Sequence, residues 1–103
     1  MLVYMPDGGR GTPQLRTAED LGALSVRVDA SSLDWDILSK TLRAAGAGEV
    51  VGAHAWLDIS WLRAAAGKRE QDWHRGFTAM LDYAAAHGWL SDDGRRVRAH
   101  IGT

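Results

Sequence analysis

The chain contains no cysteine, and that one absence removes disulfide scaffolds, thiolate zinc sites, iron–sulfur clusters and a thiol nucleophile together. Long hydrophobic runs are missing too. No apolar stretch approaches the ~18 residues that span a bilayer, and the opening MLVYMPDGG has neither the charged region nor the apolar core of a secretory signal. The expectation is a soluble, cytoplasmic protein with no membrane attachment. Net charge is also scarce, −1 with a pI near 6.4. That sign is wrong for a chain held on nucleic acid by bulk electrostatics alone. No internal repeat and no low-complexity segment is found, which fits a single unit.

The chain has 103 residues, 46% apolar and 24% charged, enough to bury one core and far from the composition of disordered chains. Tryptophan is abundant, with five against one Phe and two Tyr. Such use of the largest side chain supplies buried area in a small domain, or anchors a partner surface. Charge is unevenly spread. Residues 1–60 hold five Arg/Lys and eight Asp/Glu, whereas 61–103 hold seven and five, so the basic end is the C-terminal one.

Leu2–Met5 is a short apolar run that can add one strand. Pro6 to Gln14 (PDGGRGTPQ) has the two prolines and no apolar periodicity, and marks a loop or arm. Its glycines lack the lysine and following helix of a phosphate-binding loop. Thr17-Ala18-Glu19-Asp20 resembles a weak capping box and predicts a short helical turn ending near Gly22. From Leu24 to Ala30, Leu24, Val26, Val28 and Ala30 alternate with polar residues, the pattern of a half-buried strand. Ser31-Ser32-Leu33-Asp34 supplies a cap for a helix running to about Ala45, with Trp35, Leu38, Leu42 and Ala45 on its inner face. Glu49 to Leu57 then predicts one short strand, on which His54, Trp56 and Asp58 share a face. Asp58 caps a two-turn helix, Ile59–Ala66, closed by Gly67.

The stretch Gln71–Ile101 organises the rest. Trp73, Phe77, Met80, Leu81 and Ala84 form a helical core stripe that ends at Gly88. Asp93-Gly94 then predicts a hairpin whose second arm directs Val97, Ala99 and Ile101 inward and Arg96, Arg98 and His100 outward. Helix, strand, helix-turn-helix and two-stranded wing, in that order over Ser32–Ile101, resemble the winged helix-turn-helix superfamily. The resemblance implies an α+β fold: residues 31–103 as a small winged helix, three helices plus the wing hairpin, and residues 1–30 as an N-terminal arm and strand packed on the domain or on a dimer partner.

The same resemblance implies duplex DNA as a partner. His74, Arg75 and Thr78 would reach base edges, while Lys68, Arg69, Arg95, Arg96 and Arg98 would neutralise phosphates. A homodimer is expected, because counterion release from a few phosphates leaves a monomer weakly bound. The alternative is a protein-interaction module of the same fold, docking a larger partner through Trp56 and Trp61. Catalysis is not expected: six serines lack a nucleophile elbow, and the paired carboxylates Asp34/Asp36 and Asp92/Asp93 sit in cap or turn contexts. His54, His74, His87 and His100 fit no metal-binding spacing, so no metal and no cofactor is expected.

Overall fold

A computed structural model describes residues 1–103. Its elements are β1 (Leu2–Met5), β2 (Gln14–Arg16), β3 (Ser25–Val28), α1 (Trp35–Ala44), β4 (Gly48–Val51), β5 (His54–Asp58), α2 (Ile59–Ala66), α3 (Gln71–Ala86) and β6 (Arg96–Gly102). The fold is mixed α+β, as the pattern predicts, but all six strands join one sheet in the order β2-β1-β3-β6-β5-β4. β3 is parallel to both β1 and β6, and the pairs β1/β2, β5/β6 and β4/β5 are antiparallel. Residues 1–30 therefore supply half the strands of a continuous sheet.

Local chemistry sets the helix starts. Asp34 accepts the Ile37 N–H at 3.1 Å and Asp58 accepts the Trp61 N–H at 3.0 Å, each filling one of the free donors of a first turn. The end of α3 is covered by His87, whose Nδ1 lies 2.9 Å from the Tyr83 carbonyl. Packing follows from strand alternation. Val3, Met5, Val26, Val28, Ala55, Leu57, Val97, Ala99 and Ile101 are all buried, and the pairings Val3↔Val26, Val26↔Ile101, Ala55↔Ala99 and Leu57↔Val97 place them on one face. Leu38 and Leu42 of α1, Leu62 and Ala66 of α2, and Trp73, Phe77 and Ala84 of α3 complete the same core. Each large side chain so buried contributes roughly 1.5–3 kcal/mol. Trp73 also stacks on Phe77 at 5.1 Å and donates its indole N–H to the Ala18 carbonyl at 2.7 Å, fastening the loop before β3 to the long helix. At the outer strand β4, Ser39 Oγ of α1 accepts the Val50 N–H at 3.1 Å, so the helix guards that sheet edge.

Four expectations change. Glu49–Leu57 is a hairpin of two strands: Ala53 lies in its turn, and the turn resets the alternation so that Val50 and Ala55 pair on the core face. Gly48 makes this hairpin possible, because a Cβ there would collide with the Trp56 carbonyl oxygen across the pair, and its φ is +148°. Thr17–Gly22 forms no helix; the turn is closed by the Asp20 N–H on the Thr17 carbonyl at 3.0 Å. Trp35 is 38% exposed, because helix α1 presents Leu38 and Leu42 to the core and leaves its first turn outside.

The fourth difference concerns the wing. Arg96–Gly102 is an interior strand rather than the outer arm of a projecting hairpin. β5 takes one edge along Arg96–His100, while the other edge is shared by Leu90, bridged to Val97, and by β3 beside His100–Gly102. A strand has two edges, and a hairpin signal sees only the neighbour next in sequence.

Candidate functional site

The three helices cover one face of the sheet, and the other face has no cover. Leu2, Tyr4, Gln14, Arg16, Ser25, Arg27, Glu49, Val51, His54, Trp56, Asp58, Arg96, Arg98 and His100 point to it, and none of them is buried. The antiparallel register sets Trp56 between Glu49 on β4 and Arg98 on β6, and His54 beside His100. Three of the residues expected to carry function, Trp56, Arg96 and Arg98, are thus near neighbours on this open face. Trp61 is half-buried and packs against the core on α2.

The rest of the expected nucleic-acid set lies elsewhere. His74, Arg75 and Thr78 line a shallow groove with Gln71 and Asp82 on the outward side of α3, the side opposite the open sheet face. Lys68 and Arg69 sit in the turn between α2 and α3. Several of the cations are already occupied. Arg96 Nη1 donates to Glu49 Oε1 at 2.9 Å, and Arg75 lies 3.5 Å from the Asp72 carboxylate. Arg69 donates to the Ala66 carbonyl at 2.8 Å and lies 3.8 Å from Glu19, while Arg63 reaches His74 Nδ1 at 3.2 Å. Helix and wing cations therefore do not form one continuous positive surface.

A groove of about 720 Å³ lies on the open face at its β6-β5-β4 end. Trp56 is part of its floor, together with Glu49, Val51, Asp58 and Arg96, and the segment Gly88–Arg95 walls one side. The wall is held by its own turn. Ser91 Oγ donates to Asp93 Oδ1 at 2.7 Å, and the same oxygen accepts the Arg95 N–H at 3.0 Å, while Gly94 takes φ +71°. The Ser91 hydroxyl, then the Arg95 N–H, then the positive charges of Arg95 and Arg96 hold the Asp93 carboxyl below its ordinary range. The groove therefore carries Glu49, Asp58, Asp92 and Asp93 against Arg95 and Arg96. Beyond β6, the same face carries Arg16 and Arg27, both exposed, with no acidic residue on β1, β2 or β3 pointing to it.

No His, Asp or Glu cluster of three or more stands close enough to hold a metal ion. No helix is long and apolar enough to cross a membrane. Compared with protein-family models, curated proteins and solved structures, the chain matches none.

Sequence reasoning passed over Arg16, Arg27 and Glu49 as site residues. Alternation in Leu24–Ala30 already turns Arg27 outward, and that signal was present. The Glu49–Arg96 bond joins residues 47 apart in sequence and follows from the β4/β5/β6 register, which periodicity does not disclose.

Proposed function

We propose that this chain is a non-catalytic protein-interaction module that docks through the open face of its sheet, with a second copy of itself as the partner. One observation carries the reading: the uncovered face is divided in charge, with Arg16 and Arg27 at the β2-β1-β3 end and an acidic groove around Trp56 at the β5-β4 end. A two-fold axis along the strands, between β3 and β6, lays each end over the opposite end of the other copy. Such a surface is self-complementary, as an isologous contact requires. Trp56 supplies the apolar anchor at the groove floor, the residue type that concentrates binding energy at interfaces.

Sedimentation velocity across a dilution series tests this. A dimer is expected at low ionic strength, weakening towards about 0.5 M salt as exposed charges are screened. Trp56→Ala and Arg16→Glu each favour the monomer, and Glu49→Arg added to Arg16→Glu restores association. A protein that stays monomeric near 1 mM, a concentration at which even an interaction of about −4 kcal/mol is half-occupied, defeats the reading.

Duplex DNA binding is the second reading, and the exposed Arg75 and Thr78 on the outward groove of α3 favour it. It keeps the recognition-helix part of the winged-helix resemblance without the wing. Fluorescence anisotropy with mixed duplex DNA at about 50 mM salt, where phosphate contacts are strongest, separates the two. Binding that Arg75→Ala abolishes supports DNA; no binding under these conditions ends that reading.

A further inference from the structure

A second cavity of about 250 Å³ lies where the sheet is interrupted. β3 and the Trp89–Leu90 segment use the same edge of β6: the Trp89 carbonyl accepts the Arg98 N–H at 2.8 Å and Ser25 is in register with His100, and the cavity opens where these two segments part. The gap opens between Gly22–Leu24 on one side and Trp89 on the other, roofed by Met80, Tyr83 and Ala84 of α3. Its walls are mostly apolar, and no acidic residue is among the twelve that line it. The lining residues with polar side-chain groups are Arg98, His54, His100, Tyr83 and, through its indole N–H, Trp89.

Arg98 is the unusual member. It is half-buried, its guanidinium carbon lies 5.9 Å from the Trp89 ring centroid, and no carboxylate is within ion-pairing distance. A cation set into an apolar pocket without a counter-charge is a preformed place for an anion, and the guanidinium fork matches a carboxylate in particular. The mouth carries a second feature suited to a ligand. Tyr83 is 60% exposed, the most exposed large apolar side chain of the protein, yet it is held in place by His87 at 4.2 Å, which in turn stacks on Trp89 at 4.6 Å. Stacked aromatics facing water at a pocket rim are surface that a ligand would cover.

We propose that this pocket binds a small apolar monocarboxylate, with its aromatic or branched body against Met80, Tyr83 and Trp89 and its carboxylate on Arg98. The volume suits roughly ten non-hydrogen atoms, scaling from the ~150 Å³ cavity that holds benzene. The site shares no lining residue with the Trp56 groove, but Arg98 and His100 stand on the open face between β3 and β5, where the proposed dimer would lie across them. The proposal does not rest on that dimer, and its test is run at concentrations where the chain is monomeric.

The test titrates the full chain with 3-phenylpropanoate and with its uncharged analogue 3-phenylpropanamide, following the Trp89 indole N–H by NMR and heat by calorimetry. Saturable binding of the carboxylate is expected, about tenfold or more tighter than the amide, as a charge-assisted hydrogen bond implies. Arg98→Gln should bring the carboxylate down to the affinity of the amide and leave the amide unchanged. The comparison of the two compounds on the parent protein needs no variant, so it decides the matter even if Arg98→Gln fails to fold. Equal affinity for the two compounds, or no saturable shift of Trp89 up to about 10 mM carboxylate, a concentration beyond the weakest specific binding of interest, would overturn the proposal.

Discussion

The two faces of the sheet are built from the same strands, residue by residue in alternation, and they have opposite fates. Along β6, Val97, Ala99 and Ile101 are buried under the helices, while Arg96, Arg98 and His100 lie on the face that nothing covers. β5 repeats the contrast, with Ala55 and Leu57 inside and His54, Trp56 and Asp58 outside. On the covered face, apolar area and shape decide stability. On the open face, charges and aromatic rings are half-buried or exposed, so replacing them costs less than emptying the core. The general lesson is that a two-layer fold separates its core residues from its solvent-facing ones by one step along the strand.

That separation can be broken or sharpened by experiment. The largest effect is expected from Phe77→Ala, which empties a fully buried site in the core and should cost about 3–5 kcal/mol in denaturant unfolding. Trp56→Ala removes a larger side chain from the open face, yet should cost less than about 2 kcal/mol because that indole is only partly withdrawn from water. If the two variants unfold at similar denaturant concentrations, the contrast between the faces fails. Trp73→Phe keeps the core volume nearly filled but leaves the Ala18 carbonyl without its buried donor, and a loss of about 1–3 kcal/mol is expected. Hydrogen exchange should then accelerate in the 17–24 loop before it does in β5.

Smaller still is Glu49→Gln, which removes the carboxylate paired with Arg96. Both side chains are more than a third exposed, so stability should fall by no more than about 1 kcal/mol. Last comes Asp93→Asn in the groove wall. The carboxyl of Asp93 is held below its ordinary range in the folded protein, so its contribution is present above the unfolded value of about 3.9 and is lost as pH falls through the lower folded value. The parent should therefore unfold at higher denaturant concentration than the variant at neutral pH, and the difference should close in acid below about pH 4. A gap that persists unchanged in acid would mean that the charge of Asp93 is not what fastens the turn.

Much of the fold could be read from local pattern. The Ser31–Asp34 stretch, within which Asp34 is the cap, and Asp58 announced their helices, the 3.6-residue stripe of Trp73, Phe77 and Ala84 announced the long one, and alternation marked β3 and β6 together with their inward residues. Failures came where the deciding partner is distant. The Val51–His54 turn that splits one expected strand into two depends on Gly48 approaching the Trp56 backbone. The expected wing became an interior strand because β3, some seventy residues earlier, fits the free half of its edge. At the candidate site, Trp56 and the outward arginines of β6 were visible as residues. Their grouping with Arg16, Arg27 and Glu49 was not, since that grouping is a property of strand order.

By itself, the sequence determined which residues of β3, α3 and β6 face inward, where the three helices begin, and that no thiol is present. Those features depend on chemistry within a few residues of one another: caps, turn glycines and the two periodicities of backbone geometry. Only the tertiary structure decided that six strands make one sheet, that its helices lie on a single side, and that Arg75 and Arg96 end on opposite sides of the molecule. The reason is that a strand's pattern states what must be buried but leaves both of its edges open, and which strands fill those edges is chosen by the whole chain packing at once.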